Sequence, residues 1–241
     1  SRTNKIIVKF KKGDFMKRCI LMSILLLFSI NSFSVPGAFT TLMVEAKDID
    51  RYVDVLKNSN EIFEVIGSQQ AGVCITRSGN SYPGQMFVYN AFNSLEEAMA
   101  VSELYDPYKA PVSLNRLREI KYSATFKPLV EFEARDGFHQ LFMLKLNNPI
   151  AFAGKMKELQ NAINDDGHDI MIGVFATIAG GPIETGLSHL RMITDTGANM
   201  GKILDKYFDN ASWSQIWFDA QEYVDEDVNE TIEFCETIYT K

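Results

Sequence analysis

Residues Ile170 to Asp195 read IMIGVFATIAGGPIETGLSHLRMITD. Two apolar runs flank the cluster Gly180-Gly181-Pro182, and the second run alternates in period two from Leu187 to Ile193. This pattern predicts two antiparallel strands joined by a tight turn. A weaker copy, AGVCITRSGNSYPGQMFVYNAF, runs from Ala71 to Phe92 and begins 99 positions earlier. One supersecondary unit used twice points to an internal repeat.

The flanking segments repeat in the same order. In the first half, Phe39–Ala46 is a strand. Asp48 or Asp50 can cap a helix whose apolar face is Ile49, Tyr52, Val53 and Leu56, extended by Ile62, Phe63 and Ile66 to a stop at Gly67. After the hairpin, Ser94 and Glu97 have capping-box spacing. A strand at Ile120–Phe126 follows the helix they open. In the second half, Phe138–Leu146 is a strand and Pro149 opens a helix striped by Phe152, Met156, Leu159 and Ile163. Helices are then expected at Asn199–Phe208 and after a second capping box at Ser212–Gln215, with Trp213, Ile216, Trp217 and Ala220 at core spacing. An acidic loop, Asp225–Asp227, leads to a last strand at Thr231–Tyr239. Each half therefore reads strand, helix, strand, strand, helix, strand, a ferredoxin-like unit. The fold class is α+β. Units at 35–131 and 137–241 are separated by a linker at 132–136. A sheet with helices on one side must have its other face covered. The expectation is two sheets facing each other inside one chain as an α/β barrel.

The first 34 residues are different. Met16-Lys17-Arg18 followed by the apolar run Cys19–Ile30 resembles a signal peptide, with small residues at Ser32 and Ser34 before the expected cut. Residues 16–34 are read as that signal. Residues 1–15 are read as translated leader sequence, with Met16 the natural start. This makes the mature protein periplasmic or secreted. Removing residues 1–34, which carry seven basic groups and one acidic group, takes the formal net charge from −7 to −13. Such a chain repels phosphate backbones and anionic lipid, so neither nucleic acid nor a membrane is an expected partner. Two cysteines follow the signal, Cys74 and Cys235. In a ferredoxin-like sheet, strands two and four are opposite edges. If two such sheets close, Cys74 on strand two and Cys235 on strand four meet across a seam, where a disulfide can form in an oxidising compartment.

Several motifs together resemble the dimeric α/β-barrel superfamily. They are Tyr52-Val-Asp-Val-Leu56, Glu61-Ile-Phe63 before Gly67, Gly180-Gly-Pro182 with Thr185-Gly186, and Trp213-Ser-Gln215. The NIPSNAP-like and antibiotic-biosynthesis-monooxygenase-like branches are the nearest in pattern, over residues 39–241. The resemblance implies the barrel fold. It also implies a range of activities that includes cofactor-free monooxygenases, haem enzymes and plain binding domains.

The residues narrow that range. His139 and His189 lie on neighbouring strands of the second unit, and Arg191 shares the face of His189. Together they are the candidate ligand site, suited to an anionic small molecule with a histidine as acid or base. Tyr89, Arg77 and Glu45 are weaker candidates in the first unit. His168, beside Asp165, Asp166 and Asp169, reads as a solvated helix end. No HxH, HxxxH or CxxC spacing marks a metal site. No histidine falls on an apolar helix face to ligate haem, so no cofactor is expected. Two functions follow. One is an exported barrel that binds a small molecule or a protein partner. The other is a cofactor-independent monooxygenase-like enzyme acting on a small aromatic or anionic substrate. The pattern does not specify an oligomeric state.

Overall fold

A computed structural model describes residues 37–241. The leader and signal expected at 1–34 lie outside the described residues. Eight strands form one closed barrel, in the order β1-β3-β2-β8-β5-β7-β6-β4. The first sheet comprises β1 (Ala38–Ala46), β2 (Gln70–Ser78), β3 (Gln85–Phe92) and β4 (Arg118–Pro128). The second comprises β5 (Gly137–Leu146), β6 (Met171–Ala179), β7 (Ser188–Thr194) and β8 (Val224–Thr240). The sheets face each other across a lumen and join at two antiparallel seams, β2–β8 and β4–β6. Closure satisfies the backbone groups that an open sheet edge would expose.

Period-two patterning decides which side chains enter the lumen. Val73 and Ile75 on β2, Met86 and Val88 on β3, and Leu190 and Met192 on β7 point outward into the helix layer. Cys74, Phe87, Tyr89 and Ile193 point inward with Phe39, Phe126 and Phe175. The outer layer of the first unit is α1 (Ile49–Lys57), α2 (Asn60–Val65), α3 (Leu95–Leu104) and α4 (Val112–Asn115). Tyr52, Val53 and Leu56 on α1 are its buried stripe. That of the second unit is α5 (Pro149–Asp165), α6 (Gly197–Phe208) and α7 (Ser214–Ala220). Phe152, Met156, Leu159 and Ile163 of α5 pack on Ile172, Val174 and Leu190. A fully buried Leu, Ile or Phe contributes roughly 1.5–3 kcal/mol relative to exposure, so this stripe anchors the helix.

Three local expectations need correction. The helix expected from Ile49 through Ile66 is two, broken after Lys57, where the Ser59 hydroxyl donates to the Val55 carbonyl at 2.7 Å. Such back-bonding competes with helix continuation. Ser212 does not cap α7: Trp213 holds the cap position and no side chain makes the cap bond. By contrast Ser94 Oγ accepts from Glu97 N at 3.1 Å, while Glu97 Oε2 accepts from Asn93 N at 3.0 Å. Finally, Asp225–Asp227 is not a loop. It is the start of β8, paired with β5 through Leu146↔Val224 and Lys145↔Glu226, with a Lys145–Glu226 ion pair across the ladder. Cross-strand charge pairing offsets the poor strand propensity of acidic residues.

The β4–β5 connection closes one end of the barrel. Phe132 is 3% exposed and meets Phe39 and Phe175 edge-on, with ring centroids 5.8 and 4.8 Å away. Gly173 makes room for it, since a Cβ there would sit 2.4 Å from the Phe132 ring. The β2–β3 and β6–β7 hairpins lie at the opposite end.

Candidate functional site

The lumen encloses a cavity of about 170 Å³. Its wall is aromatic, with Phe39, Phe87, Tyr89, Tyr122, Phe126 and Phe175 contributed by strands of both sheets. His139, His189 and Arg191 all line it. The register explains why: Met143 on β5 pairs with His189 on β7, Leu141 with Arg191, and His139 with Ile193, and these six share the inner face. Of the weaker candidates, Tyr89 also lines the cavity. Arg77 is exposed, and Glu45 pairs with Lys121 at 2.7 Å outside the lumen lining.

Near the hairpin end, His189 Nε2 lies 2.7 Å from Glu184 Oε2. Glu184 is 2% exposed, and its other oxygen accepts from the Tyr122 hydroxyl at 2.9 Å. Burial first, and the Glu184 carboxylate second, push the Tyr122 hydroxyl well above the ordinary phenol value, so it remains a donor. Because the carboxylate accepts, the proton between Glu184 and His189 resides on Nε2. Nδ1 is left without a protein partner among the described residues. Phe126 packs on the imidazole at 4.5 Å and holds its plane. A buried carboxylate that orients an imidazole with one free nitrogen is the arrangement of a positioned general base.

At the plugged end, Arg191 is committed. Its Nη1 donates to Glu233 Oε2 at 2.6 Å and to His139 Nδ1 at 3.1 Å, and its guanidinium covers the Phe87 ring at 5.2 Å. Thr231 Oγ1 donates to the other Glu233 oxygen at 3.2 Å. His139 Nε2 donates to the Arg135 carbonyl at 2.9 Å, which fixes its tautomer. Burial, reinforced by the Arg191 charge, pushes the His139 pKa down to about 3. His139 is therefore neutral, with both nitrogens used. The sequence pattern suits Arg191 to binding an anion, but its charge is already met by Glu233. Arg135 is likewise paired, with Asp169 at 3.1 Å. The cavity has no unpaired cation among its described lining residues.

Glu184, Tyr122 and Glu233 were missed from sequence. Tyr122 and Glu233 carried a signal, because they fall in phase with the inward positions Phe126 and Cys235 of their strands. Glu184 carried none: it sits in the turn after a short 3-10 segment, Gly181–Ile183, and only the tertiary fold buries it. His168 lies 3.9 Å from Asp166, whose carboxylate is taken by Lys206 and the Trp213 indole.

No family profile matches the chain, and no curated protein matches it. Its fold is similar to that of a candidate monooxygenase from Lactobacillus acidophilus, at 8% identity over 85% of this chain and 95% of that one, with a TM-score of 0.54. It is also similar to a heme-binding protein from Thermus thermophilus, at 10% identity over 83% of this chain and 91% of that one, TM-score 0.50. A candidate chlorite dismutase matches at 12% identity over 83% of this chain and 95% of that one, TM-score 0.50. The chain thus has the dimeric α/β-barrel fold, built here from two units of one chain. At such identities fold is what is shared. Haem does not fit this lumen. His139 Nε2 is taken by the Arg135 carbonyl, and the cavity of about 170 Å³ is below the 300–1,000 Å³ usual even for drug-sized ligands.

Proposed function

We propose that the lumen binds a small, uncharged, hydroxylated aromatic molecule and that His189 is its general base. The observation that carries this reading is the buried Tyr122–Glu184–His189 chain, which ends in a free imidazole nitrogen inside an aromatic cavity. The aromatic wall suits a planar ring. The paired cations argue against an anion, and the small volume argues for a compact ligand.

In this reading His189 Nδ1 takes a proton from a phenolic hydroxyl or an activated C–H bond. Glu184 stabilises the imidazolium that results, and Tyr122 keeps the carboxylate aimed. The deprotonated substrate is electron-rich, and dioxygen is the oxidant it would meet in a cofactor-independent monooxygenase-like reaction. The monooxygenase name carried by one protein of the same fold agrees with this, as does the resemblance of the motifs at 52–63, 180–186 and 213–215 to the NIPSNAP-like and antibiotic-biosynthesis-monooxygenase-like branches. The second reading is a binding domain without turnover, which the same cavity serves equally well. Export is part of the proposal, supported by the apolar run at 19–30 and by the disulfide pairing of Cys74 with Cys235.

One experiment separates the readings. Purified protein is titrated with a panel of small phenols by calorimetry, and oxygen uptake is followed with each binder. Binding with oxygen uptake that His189→Ala abolishes supports the enzyme. Binding alone supports the binding domain. No binding by any phenol, with the fold intact, ends the lumen reading.

A further inference from the structure

The plugged end of the lumen contains a donor set that the chemistry at His189 leaves unused. Cys74 Sγ, Cys235 Sγ and a ring nitrogen of His139 lie within 4.8 Å of one another, and all three residues are buried. The register brings them together. Cys74 pairs with Cys235 across β2–β8, Gly137 pairs with Cys235 across β5–β8, and His139 lies two residues along the same face. The two sulfurs form a disulfide. We propose that reduction of this disulfide turns the lumen floor into a Cys2His site for a thiophilic divalent cation, with Zn²⁺ the simplest occupant.

The surroundings suit that role. His139 Nε2 donates to the Arg135 carbonyl at 2.9 Å, the kind of outer bond that fixes the tautomer of a metal-ligating imidazole and leaves Nδ1 as the ligand atom. Arg191 Nη1 stands 3.1 Å from Nδ1 and 4.0 Å from Cys235 Sγ, so it bridges the donors in the oxidised state. On metal binding it gives up Nδ1 and keeps Glu233, at 2.6 Å. Charge balances: Arg191 cancels Glu233, and two thiolates match one dication. Three protein ligands would leave one position of a tetrahedral site open, the pattern of an open zinc site.

The chemistry is complete with a thiol reductant. The disulfide takes two electrons and two protons, and the reductant leaves as its own disulfide. The cation then displaces both thiol protons to solvent. In an oxidising compartment the bond persists and the site stays closed.

The test uses the full chain, reduced with dithiothreitol, desalted under nitrogen and titrated with Co²⁺ as a spectroscopic probe. One equivalent is expected to bind with thiolate-to-cobalt charge-transfer absorption and tetrahedral visible bands, which Zn²⁺ then bleaches. Unreduced protein shows neither. Cys74→Ser and Cys235→Ser lose the charge-transfer intensity, and His139→Gln binds at least about tenfold more weakly. Reduced, folded protein that shows no charge-transfer band overturns the proposal. So does unchanged binding in the doubly serine-substituted chain or in His139→Gln. Unfolding on reduction that Zn²⁺ does not reverse overturns it as well. None of these outcomes depends on the substrate or activity assigned to His189.

Discussion

His189 and Arg191 sit two residues apart on one strand face, yet the structure gives them different work. His189 Nδ1 has no protein partner among the described residues, so the proposed proton transfer depends on it. His189→Ala is expected to lower phenol binding or turnover by at least about a hundredfold, the lower range of a general base's contribution. Glu184→Gln should act in the same direction, because the amide is a weaker partner for an imidazolium. Steady-state rates and calorimetric affinities check both. Arg191 instead belongs to a buried ion pair with Glu233, whose side chains are 12% and 2% exposed. Glu233→Ala strands a buried guanidinium, and breaking such pairs costs about 3–5 kcal/mol. A urea denaturation midpoint near the wild-type value would show that the pair contributes nothing.

Among the elements, the β4–β5 connection and the β2–β8 seam call for separate tests. Phe132 is the plug, held between Phe39 and Phe175 over Gly173. Phe132→Ala should cost about 3–5 kcal/mol, as large-to-small aromatic changes in cores do. It should also enlarge the cavity at that end, which a crystal structure would show. Gly173→Ala drives a methyl toward the same ring and is expected to destabilise by about 1–3 kcal/mol. At the seam, the Cys74–Cys235 bond spans 161 positions. The chain-entropy argument credits such a loop with up to about 5 kcal/mol, so serine at both positions should lower the denaturant midpoint substantially. An unchanged midpoint would mean that the closed ladder alone holds the seam.

For the whole molecule, pH dependence reports on His139. Its pKa falls from 6.5 in the unfolded chain to about 3 in the folded barrel. Between those values the unfolded state binds a proton that the folded state does not, so stability rises with pH there. This contribution is complete above 6.5 and is lost progressively as pH falls toward 3. The slope approaches about 1.4 kcal/mol per pH unit at its steepest. Urea midpoints for wild type and His139→Gln at several pH values from neutral to 4 should converge as acidity increases. Parallel curves would show that His139 is not the buried neutral group.

What the sequence determined was direction. Period two on each strand and helical spacing on each helix set which side chains face the lumen, because the pleat and the α-turn are local geometry. The repeat, the outward apolar stripes, the inward phase of His139, His189 and Arg191, and the Ser94 cap all follow from neighbours a few residues apart. The partners did not follow. Arg191 meets Glu233 across the width of β5, from successive strands that do not touch in the barrel and lie 42 positions apart. Tyr122 reaches Glu184 only because the β4–β6 seam closes the barrel. Whether an inward charge is free or paired depends on what closure places opposite it. That is a non-local event, and it paired Arg191 with Glu233 while leaving His189 Nδ1 without a protein partner among the described residues.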